Sequence, residues 1–137
     1  MIELIEFLQG ELLLTGTLFA LIILLIVNIY SEKFKKYEVV DTNGAVTLMD
    51  DDLIILDVRE EKERSAGFID SDLNIPMSQV KNKLDSLDKS KKILIYCKSG
   101  TRSDRIADLL CKNEFQNVYS LKGGFNAWQK AELPIKK

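Results

Sequence analysis

The sequence predicts an α/β fold, a parallel sheet flanked by helices and preceded by one transmembrane helix. Residues 12–31 contain no charged side chain, as a membrane-spanning helix requires. From Tyr37 onward, short apolar runs alternate with helix-type segments, the pattern that produces a parallel sheet covered by helices. The apolar run at 53–56 is unbroken, which is typical of a parallel strand buried on both faces.

The uncharged run at 12–31 is interpreted as an uncleaved membrane anchor. As a helix it would span about 30 Å, the thickness of the hydrocarbon core of a bilayer. A cleaved signal peptide would begin with basic residues, whereas the segment before the run holds Glu3, Glu6 and Glu11 and neither Lys nor Arg. The other alternative is a buried core helix, but so uniformly apolar a run does not suit that role beside a small domain with a core of its own.

Basic residues after the anchor set its predicted orientation. Lys33, Lys35 and Lys36 follow it, so the positive-inside rule places the remainder of the chain in the cytoplasm of a single-pass cell-membrane protein. Cytoplasmic thiols stay reduced, which leaves Cys97 and Cys111 free. The chain is accordingly divided into an extracytoplasmic tail at 1–11, a transmembrane helix at 12–31, a basic juxtamembrane linker at 32–37 and one domain at 38–137.

The elements of that domain follow from local pattern. Strands are predicted where β-branched and apolar residues run together, at 39–40, 53–56, 73–75, 93–96 and 118–119. Helices are predicted from a cap at 41–43 to about 49, at 60–66 closed by Gly67, at 77–87, after the loop that follows residue 96, and around 127–128.

Cys97 stands where a predicted strand ends and a loop leads into a helix. In parallel α/β sheets, ligands bind at this end of the strands. Unpaired amides at the helix N-terminus and the charges of Lys98 and Arg102 would lower the pKa of the thiol, and Gly100 permits a positive φ in the loop. The alternative is a buried structural cysteine before an ordinary helix capped by Ser103.

Composition excludes several function classes. The chain of 137 residues has no histidine, which rules out a Cys-His dyad and a His-ligated metal within it. Two cysteines cannot form a structural zinc site, and Cys111 is interpreted as a packing residue. The acidic run at 50–52 is interpreted as a solvated turn and not as a metal cluster. A net charge of −2 argues against nucleic acid as the main partner.

Four segments of the domain resemble, in order and spacing, the signature segments of one protein family. They are 97–103 (Cys-Lys-Ser-Gly-Thr-Arg-Ser), 56–60 (Leu-Asp-Val-Arg-Glu) with Glu63, 67–69 with 73–76, and 121–128 (Leu-Lys-Gly-Gly-Phe-Asn-Ala-Trp). Together they resemble the rhodanese family of sulfurtransferases over about residues 38–137. Phe68 stands where that family usually has His, a position expected to be structural.

The resemblance implies an α/β rhodanese-like domain that transfers sulfane sulfur in two steps. The thiolate of Cys97 would take sulfur from a small donor such as thiosulfate and form a persulfide, from which a thiol or protein acceptor would remove it. Loop amides would stabilise the persulfide, and the side chains of Lys98 and Arg102 would hold the anionic end of the donor. The substrate-binding loop implied is Lys98, Ser99, Gly100, Thr101 and Arg102, with no cofactor and no metal.

Asp57 and Arg59 are the supporting residues that the resemblance suggests. Asp57 ends a buried strand, so its carboxylate is expected to accept hydrogen bonds from the catalytic loop and to hold its geometry. Arg59 is expected either to pair with neighbouring acids or to approach the substrate anion.

Three other functions stay open at this point. The domain could be a membrane-tethered persulfide carrier that serves a protein partner with little turnover of thiosulfate, or a redox sensor. A phosphatase of the same fold is disfavoured because phosphatases carry C-x5-R, one residue more than the spacing from Cys97 to Arg102.

Overall fold

The computed structural model describes residues 1–33 and 36–137. They form two compact units, Met1–Lys35 and Lys36–Lys137. Lys35 of the predicted basic linker lies outside the described residues. The first two positions of the linker belong to a helix instead, because the long N-terminal helix continues through Lys33.

The first unit consists of α1 (Ile2–Gly10) and α2 (Leu12–Lys33). α2 confirms that the uncharged run forms one helix, and Leu12–Tyr30 is long and apolar enough to cross a membrane, with none of it buried in the structure. The hydroxyl of Thr15 donates to the carbonyl of Glu11 at 3.0 Å, so this polar group is satisfied within its own unit. Membrane crossing itself stays a prediction.

The second unit is a five-stranded sheet in which every neighbouring pair of named strands is parallel. The strand order is β1-β5-β4-β2-β3, which confirms the predicted parallel α/β architecture. The strands are β1 (Glu38–Val40), β2 (Leu53–Asp57), β3 (Leu73–Asn74), β4 (Lys92–Tyr96) and β5 (Val118–Leu121).

Helices cover both faces of the sheet. They are α3 (Thr42–Leu48), α4 (Glu61–Arg64), α5 (Met77–Val80), a 3₁₀ helix (Lys81–Ser86), α6 (Thr101–Lys112) and α7 (Gly124–Lys130). The single helix predicted at 77–87 is wrong in its second half, which is 3₁₀. Asn82, Asp85 and Ser86 fall there, and such side chains compete for backbone groups; the hydroxyl of Ser86 donates to the carbonyl of Lys83 at 2.6 Å.

β4 divides the core into two layers because its side chains alternate between the faces of the sheet. Ile93, Ile95 and the following Cys97 belong to the layer under α5 and α6, whereas Leu94 and Tyr96 belong to the layer under α3 and α7. The carboxyl ends of β2, β4 and β5 meet at one edge of the sheet. The loops that follow these strands are therefore neighbours, and they form the candidate site.

Candidate active site

The sulfur of Cys97 is held by backbone N–H groups at the start of α6. The amide of Gly100 donates to Sγ at 3.0 Å, and the amide of Ser103 donates to it at 3.4 Å. Gly100 is the N-cap of α6 with φ +103°, a conformation that other residues rarely adopt. Cys97 itself is completely buried. The loop thus curls around the sulfur and presents amide hydrogens to it.

Burial and amide hydrogen bonds act in opposite directions on this thiol. Burial raises the pKa of Cys97, whereas hydrogen bonds from the amides of Ser103, Gly100 and Ser99 lower it, and the net pKa lies below the ordinary value. Activation by loop amides without histidine is consistent with the sequence-based expectation. Ser103 was considered only as a helix cap, yet its hydroxyl donates to the carbonyl of Gly100 at 2.9 Å and its amide serves the sulfur.

Arg102 is engaged by a side chain that the sequence analysis gave no role. Its two terminal nitrogens each donate to Glu63, at 2.7 Å to either carboxylate oxygen. Both terminal nitrogens of Arg102 are thus paired with a carboxylate in this structure, and its contact with a donor anion stays a prediction. These hydrogen bonds raise the pKa of Arg102, and the neighbouring sulfur of Cys97 contributes in the same direction.

The pKa of Glu63, the partner of Arg102, shifts in the opposite direction. Hydrogen bonds from Arg102 lower the pKa of its carboxyl group to about 2, so it remains charged under all physiological conditions. Glu63 lies on α4, and its carboxylate also accepts from the amide of Glu60 at 2.9 Å in a capping box. The pair thus ties the helix after β2 to the first turn of α6.

Replacing Glu63 with glutamine is expected to lower the pKa of the Cys97 thiol further. Glutamine keeps the shape of the side chain but removes the charge that neutralises Arg102, so the guanidinium stabilises the thiolate more strongly. The pH dependence of Cys97 alkylation by iodoacetamide measures this pKa. Glu61→Gln, on the same helix, should leave the pKa unchanged. A higher pKa in Glu63→Gln would mean that Glu63 is needed to keep Arg102 beside the sulfur.

The hydrogen bonds recorded for the sulfur of Cys97 do not come from the side chains of Lys98, Ser99 or Thr101. Lys98, Ser99 and Thr101 are exposed, and Lys98 forms no ion pair within the described part of the chain. Lys98 and Ser99 lie in the loop after β4, whereas Thr101 is the first residue of α6; binding of substrate by the three residues stays a prediction.

The first turn of α7 also holds the catalytic loop through backbone hydrogen bonds. The amide of Phe125 donates to the carbonyl of Cys97 at 2.7 Å, and the amide of Asn126 donates to that of Lys98 at 3.0 Å. These bonds require close backbone approach at Gly124, where an added Cβ would lie 2.7 Å from the carbonyl carbon of Lys98. The glycine pair at 123–124 is therefore part of the site, a role that the motif match alone did not specify.

Asp57 does not serve the catalytic loop as expected. Its carboxylate accepts from Nε and Nη2 of Arg59, both at 3.0 Å, and from Nη1 of Arg64 at 2.7 Å. Of the two roles left open for Arg59, pairing with an acid is the one observed; the residue is almost fully buried, with its guanidinium 4.3 Å from the centre of the Phe125 ring. Asp57 and Arg59 thus form a buried ion pair that packs against Phe125.

The ion-pair cluster extends to the strand that carries Cys97. Arg64 also donates to both carboxylate oxygens of Asp72, at 2.6 and 2.9 Å, and Asp72 accepts the hydroxyl hydrogen of Tyr96. Burial and the hydrogen bond to Asp72 raise the pKa of Tyr96, so the phenol stays protonated. Asp72 therefore contributes to a buried network, because its side chain is only 1% exposed.

Two cavities flank the catalytic loop. One of about 220 Å³ is bordered by Lys98 of the loop, Lys62 and Glu63 of α4, and Phe125 of α7, and the rest of its lining is Arg59, Ala66, Asn126 and Gln129. The other, of about 400 Å³, lies on the side of Gly100 and Lys122. Within the described residues there is no group of three or more His, Cys, Asp or Glu side chains that could hold a metal ion.

Cys111 and Trp128, the second cysteine and the one tryptophan of the chain, both lie in or against the core. Cys111 packs against the core at the end of α6, and burial raises the pKa of its thiol, which confirms it as a packing residue. Trp128 is buried, and its indole N–H donates to the carbonyl of Pro134 at 2.9 Å.

The comparison with protein families matches one family to most of the second unit. The rhodanese-like domain matches residues 42–131, which include all residues of the candidate site. In structure, the chain is similar to a rhodanese-related protein from Thermoplasma volcanium, with a TM-score of 0.65 and 26% identity over 73% of this chain and 98% of that one.

Curated relatives give the same family context. The uncharacterized protein YqhL of Bacillus subtilis is 40% identical over 54% of this chain, and the chain spans 59% of its length. A sulfurtransferase of Allochromatium vinosum is 32% identical, covering 62% of this chain and 79% of the relative. The thiosulfate sulfurtransferase GlpE of Coxiella burnetii is 35% identical, covering 57% and 73%.

Proposed function

Because the chain belongs to the rhodanese-like domain family, we propose that it is a sulfurtransferase that carries sulfane sulfur as a persulfide on Cys97. One observation carries the proposal: the sulfur of Cys97 accepts the amides of Gly100 and Ser103 at the carboxyl end of β4. Amide dipoles favour the thiolate over the thiol, and they favour a persulfide anion for the same reason. The curated relatives named as sulfurtransferases support the same chemistry.

The reaction proceeds by two displacements at sulfur. The thiolate of Cys97 attacks the outer sulfur of thiosulfate, the sulfur–sulfur bond of the donor breaks, and sulfite leaves with its electron pair. A nucleophilic acceptor, cyanide in an assay or a thiolate in the cell, then attacks the outer sulfur of the persulfide. The bond between the two sulfur atoms breaks, and its electron pair returns to Cys97 as the thiolate. Neither step needs a cofactor or a general base, because the attacking groups are already anions.

The buried position of Cys97 adds a conformational requirement. A sulfur with no exposed surface cannot meet a donor until side chains around it move. Arg102 and Glu63 are the polar pair next to it, and they connect two separate elements, α6 and α4. We infer that movement of this pair admits the donor.

Turnover of thiosulfate distinguishes the enzyme from the persulfide carrier. The full chain in detergent, given thiosulfate and cyanide, should release thiocyanate with saturation in both substrates and with the parallel double-reciprocal plots of a ping-pong mechanism. A persulfide that forms from thiosulfate but is released only to a protein thiol would favour the carrier. No persulfide from thiosulfate or from an alkyl persulfide would contradict the proposal.

We further propose that α2 anchors the domain to the cell membrane with residues 38–137 on the cytoplasmic side. The apolar surface of Leu12–Tyr30 and the lysines that follow it in the sequence support this arrangement. The full chain should remain in the membrane fraction after alkaline carbonate washing, whereas a chain that lacks residues 1–31 should not. Protease added to inside-out vesicles should degrade the domain, and protection there would contradict the orientation.

A further inference from the structure

A chain of hydrogen-bonding side chains leads from the buried sulfur of Cys97 to a carboxylate at the surface. The sulfur lies 3.7 Å from Oγ of Ser103, within reach of a thiol donor. Oγ of Ser103 lies 3.0 Å from Oγ of Ser120, whose hydroxyl donates to Oδ1 of Asp104 at 2.6 Å. Cys97, Ser103 and Ser120 are completely buried. Asp104 is partly exposed and borders the cavity of about 400 Å³, so the chain connects the thiol with solvent.

The burial of Cys97 makes such a connection necessary. A thiol without exposed surface cannot pass its proton directly to water, so its ionisation requires either an opening of the loop or groups that both accept and donate hydrogen. Serine hydroxyls do both. Ser120 lies in the buried strand β5, where alanine would fill nearly the same volume without the cost of burying a hydroxyl. Packing alone therefore does not explain a serine at this position.

We propose that Ser103, Ser120 and Asp104 form a proton relay between Cys97 and solvent, with Asp104 as the outer proton acceptor. The inference rests on the proposed function, because it concerns the ionisation of Cys97 that precedes attack on the donor. The S–H bond breaks, and its electron pair stays on sulfur. Oγ of Ser103 takes the proton and passes its own hydrogen to Oγ of Ser120, which passes its own to the carboxylate. Asp104 then releases a proton to water, since a carboxylic acid is a stronger acid than a thiol.

The number of hydrogens in the chain agrees with this role. The chain has three links, and its two hydroxyls supply only two hydrogens. The third hydrogen is the proton that moves, and it belongs either to the sulfur or to the carboxylate. In the structure the hydroxyl of Ser103 donates to the carbonyl of Gly100 at 2.9 Å. Rotation about the Cβ–Oγ bond turns the same hydrogen toward Ser120 and completes the chain.

The charged groups at the two ends separate a relay from a purely electrostatic role of Asp104. The guanidinium of Arg102 lies near the sulfur. Asp104 shares its cavity with Arg105 and Lys122, and its charge raises the pKa of Tyr37. Removing this negative charge would, by electrostatics alone, make ionisation of the thiol easier. Removing the outer acceptor of a relay makes proton transfer slower, so the two roles predict opposite effects.

A light-triggered pH jump tests the relay, with the S–H vibration in the infrared as the measure of thiol protonation. The full chain in detergent carries Cys111→Ser, so that Cys97 supplies the signal. Asp104→Asn and Ser120→Ala should each slow proton transfer about 100-fold, a contribution typical of a positioned acid or base. Asp104→Glu should restore most of the rate. Asp108→Asn, an exposed acid on the same helix, is the matched control and should leave the rate unchanged.

The combined variant shows whether the two residues act in one route. Asp104→Asn with Ser120→Ala should be no slower than the slower single variant, whereas effects that multiply would contradict a single relay. Unchanged rates in both single variants would overturn the relay even if the protein formed a persulfide. Because these rates do not depend on sulfur transfer, slowed variants of a protein that forms no persulfide would support the relay and contradict the proposed function.

Discussion

Replacing Cys97 with serine is expected to abolish both persulfide formation and the turnover of thiosulfate. A hydroxyl is not ionised at neutral pH, so the amides of Gly100 and Ser103 have no anion to stabilise, and no stable sulfur adduct forms on oxygen. Thiocyanate release from thiosulfate and cyanide measures the loss, which should reach the background of the uncatalysed reaction.

Cys111→Ser is the matched control for this prediction. Cys111 packs against the core near the end of α6, and its thiol has a raised pKa, so it is a poor nucleophile at neutral pH. This variant should keep most of the activity. Equal losses in the two variants would contradict the assignment of Cys97 as the sole sulfur carrier.

Replacing Gly124 with alanine is expected to reduce kcat/KM by about 100-fold, the effect of displacing a reacting group by about 1 Å. Gly124 has φ +58°, and an alanine Cβ there would overlap the carbonyl oxygen of Cys97 and lie 2.7 Å from the carbonyl carbon of Lys98. Backbone atoms cannot rotate away as a side chain can, so the loop that holds the sulfur must shift. The steady-state assay with thiosulfate and cyanide measures the effect.

Gly10→Ala is the control for the glycine substitution itself, because nothing lies within 4 Å of the Cβ that it adds. That variant should retain the activity of the parent. Near-normal kcat/KM in Gly124→Ala would mean that the hydrogen bonds from Phe125 and Asn126 to the loop carbonyls do not fix the position of Cys97.

The elements nearest the site were predictable because each depends on local sequence. The apolar run before Cys97 gives β4, Gly100 marks the loop, and the periodic apolar positions after it give α6. The amide donors to the sulfur follow from that geometry alone. The first N–H groups of α6 have no partner within the helix and are therefore available to the sulfur of Cys97.

The partners of charged residues were less predictable because they depend on tertiary structure. Glu63 precedes Arg102 by 39 residues, and only the parallel pairing of β2 with β4 brings α4 and α6 together. The segment match that contains Glu63 was the available signal, but it does not indicate the partner. Arg102 was therefore assigned to the donor anion without its pairing to Glu63 being foreseen.

Asp72 was missed for a different reason. In the sequence it lies in a short acidic segment, which is typical of a solvated turn. In the fold, the hydroxyl of Tyr96 and the guanidinium of Arg64 converge on it, and three polar groups satisfy one another in a buried place. Burial of a carboxylate cannot be read from its neighbours in the chain when both partners come from other elements.

The intact mass of the full chain after brief exposure to thiosulfate tests the central claim most directly. The account predicts a gain of one sulfur atom that maps to Cys97, that cyanide reverses, and that Cys97→Ser does not show. An unchanged mass in the folded protein with Cys97 reduced, under both thiosulfate and an alkyl persulfide, would contradict the claim that Cys97 carries sulfane sulfur.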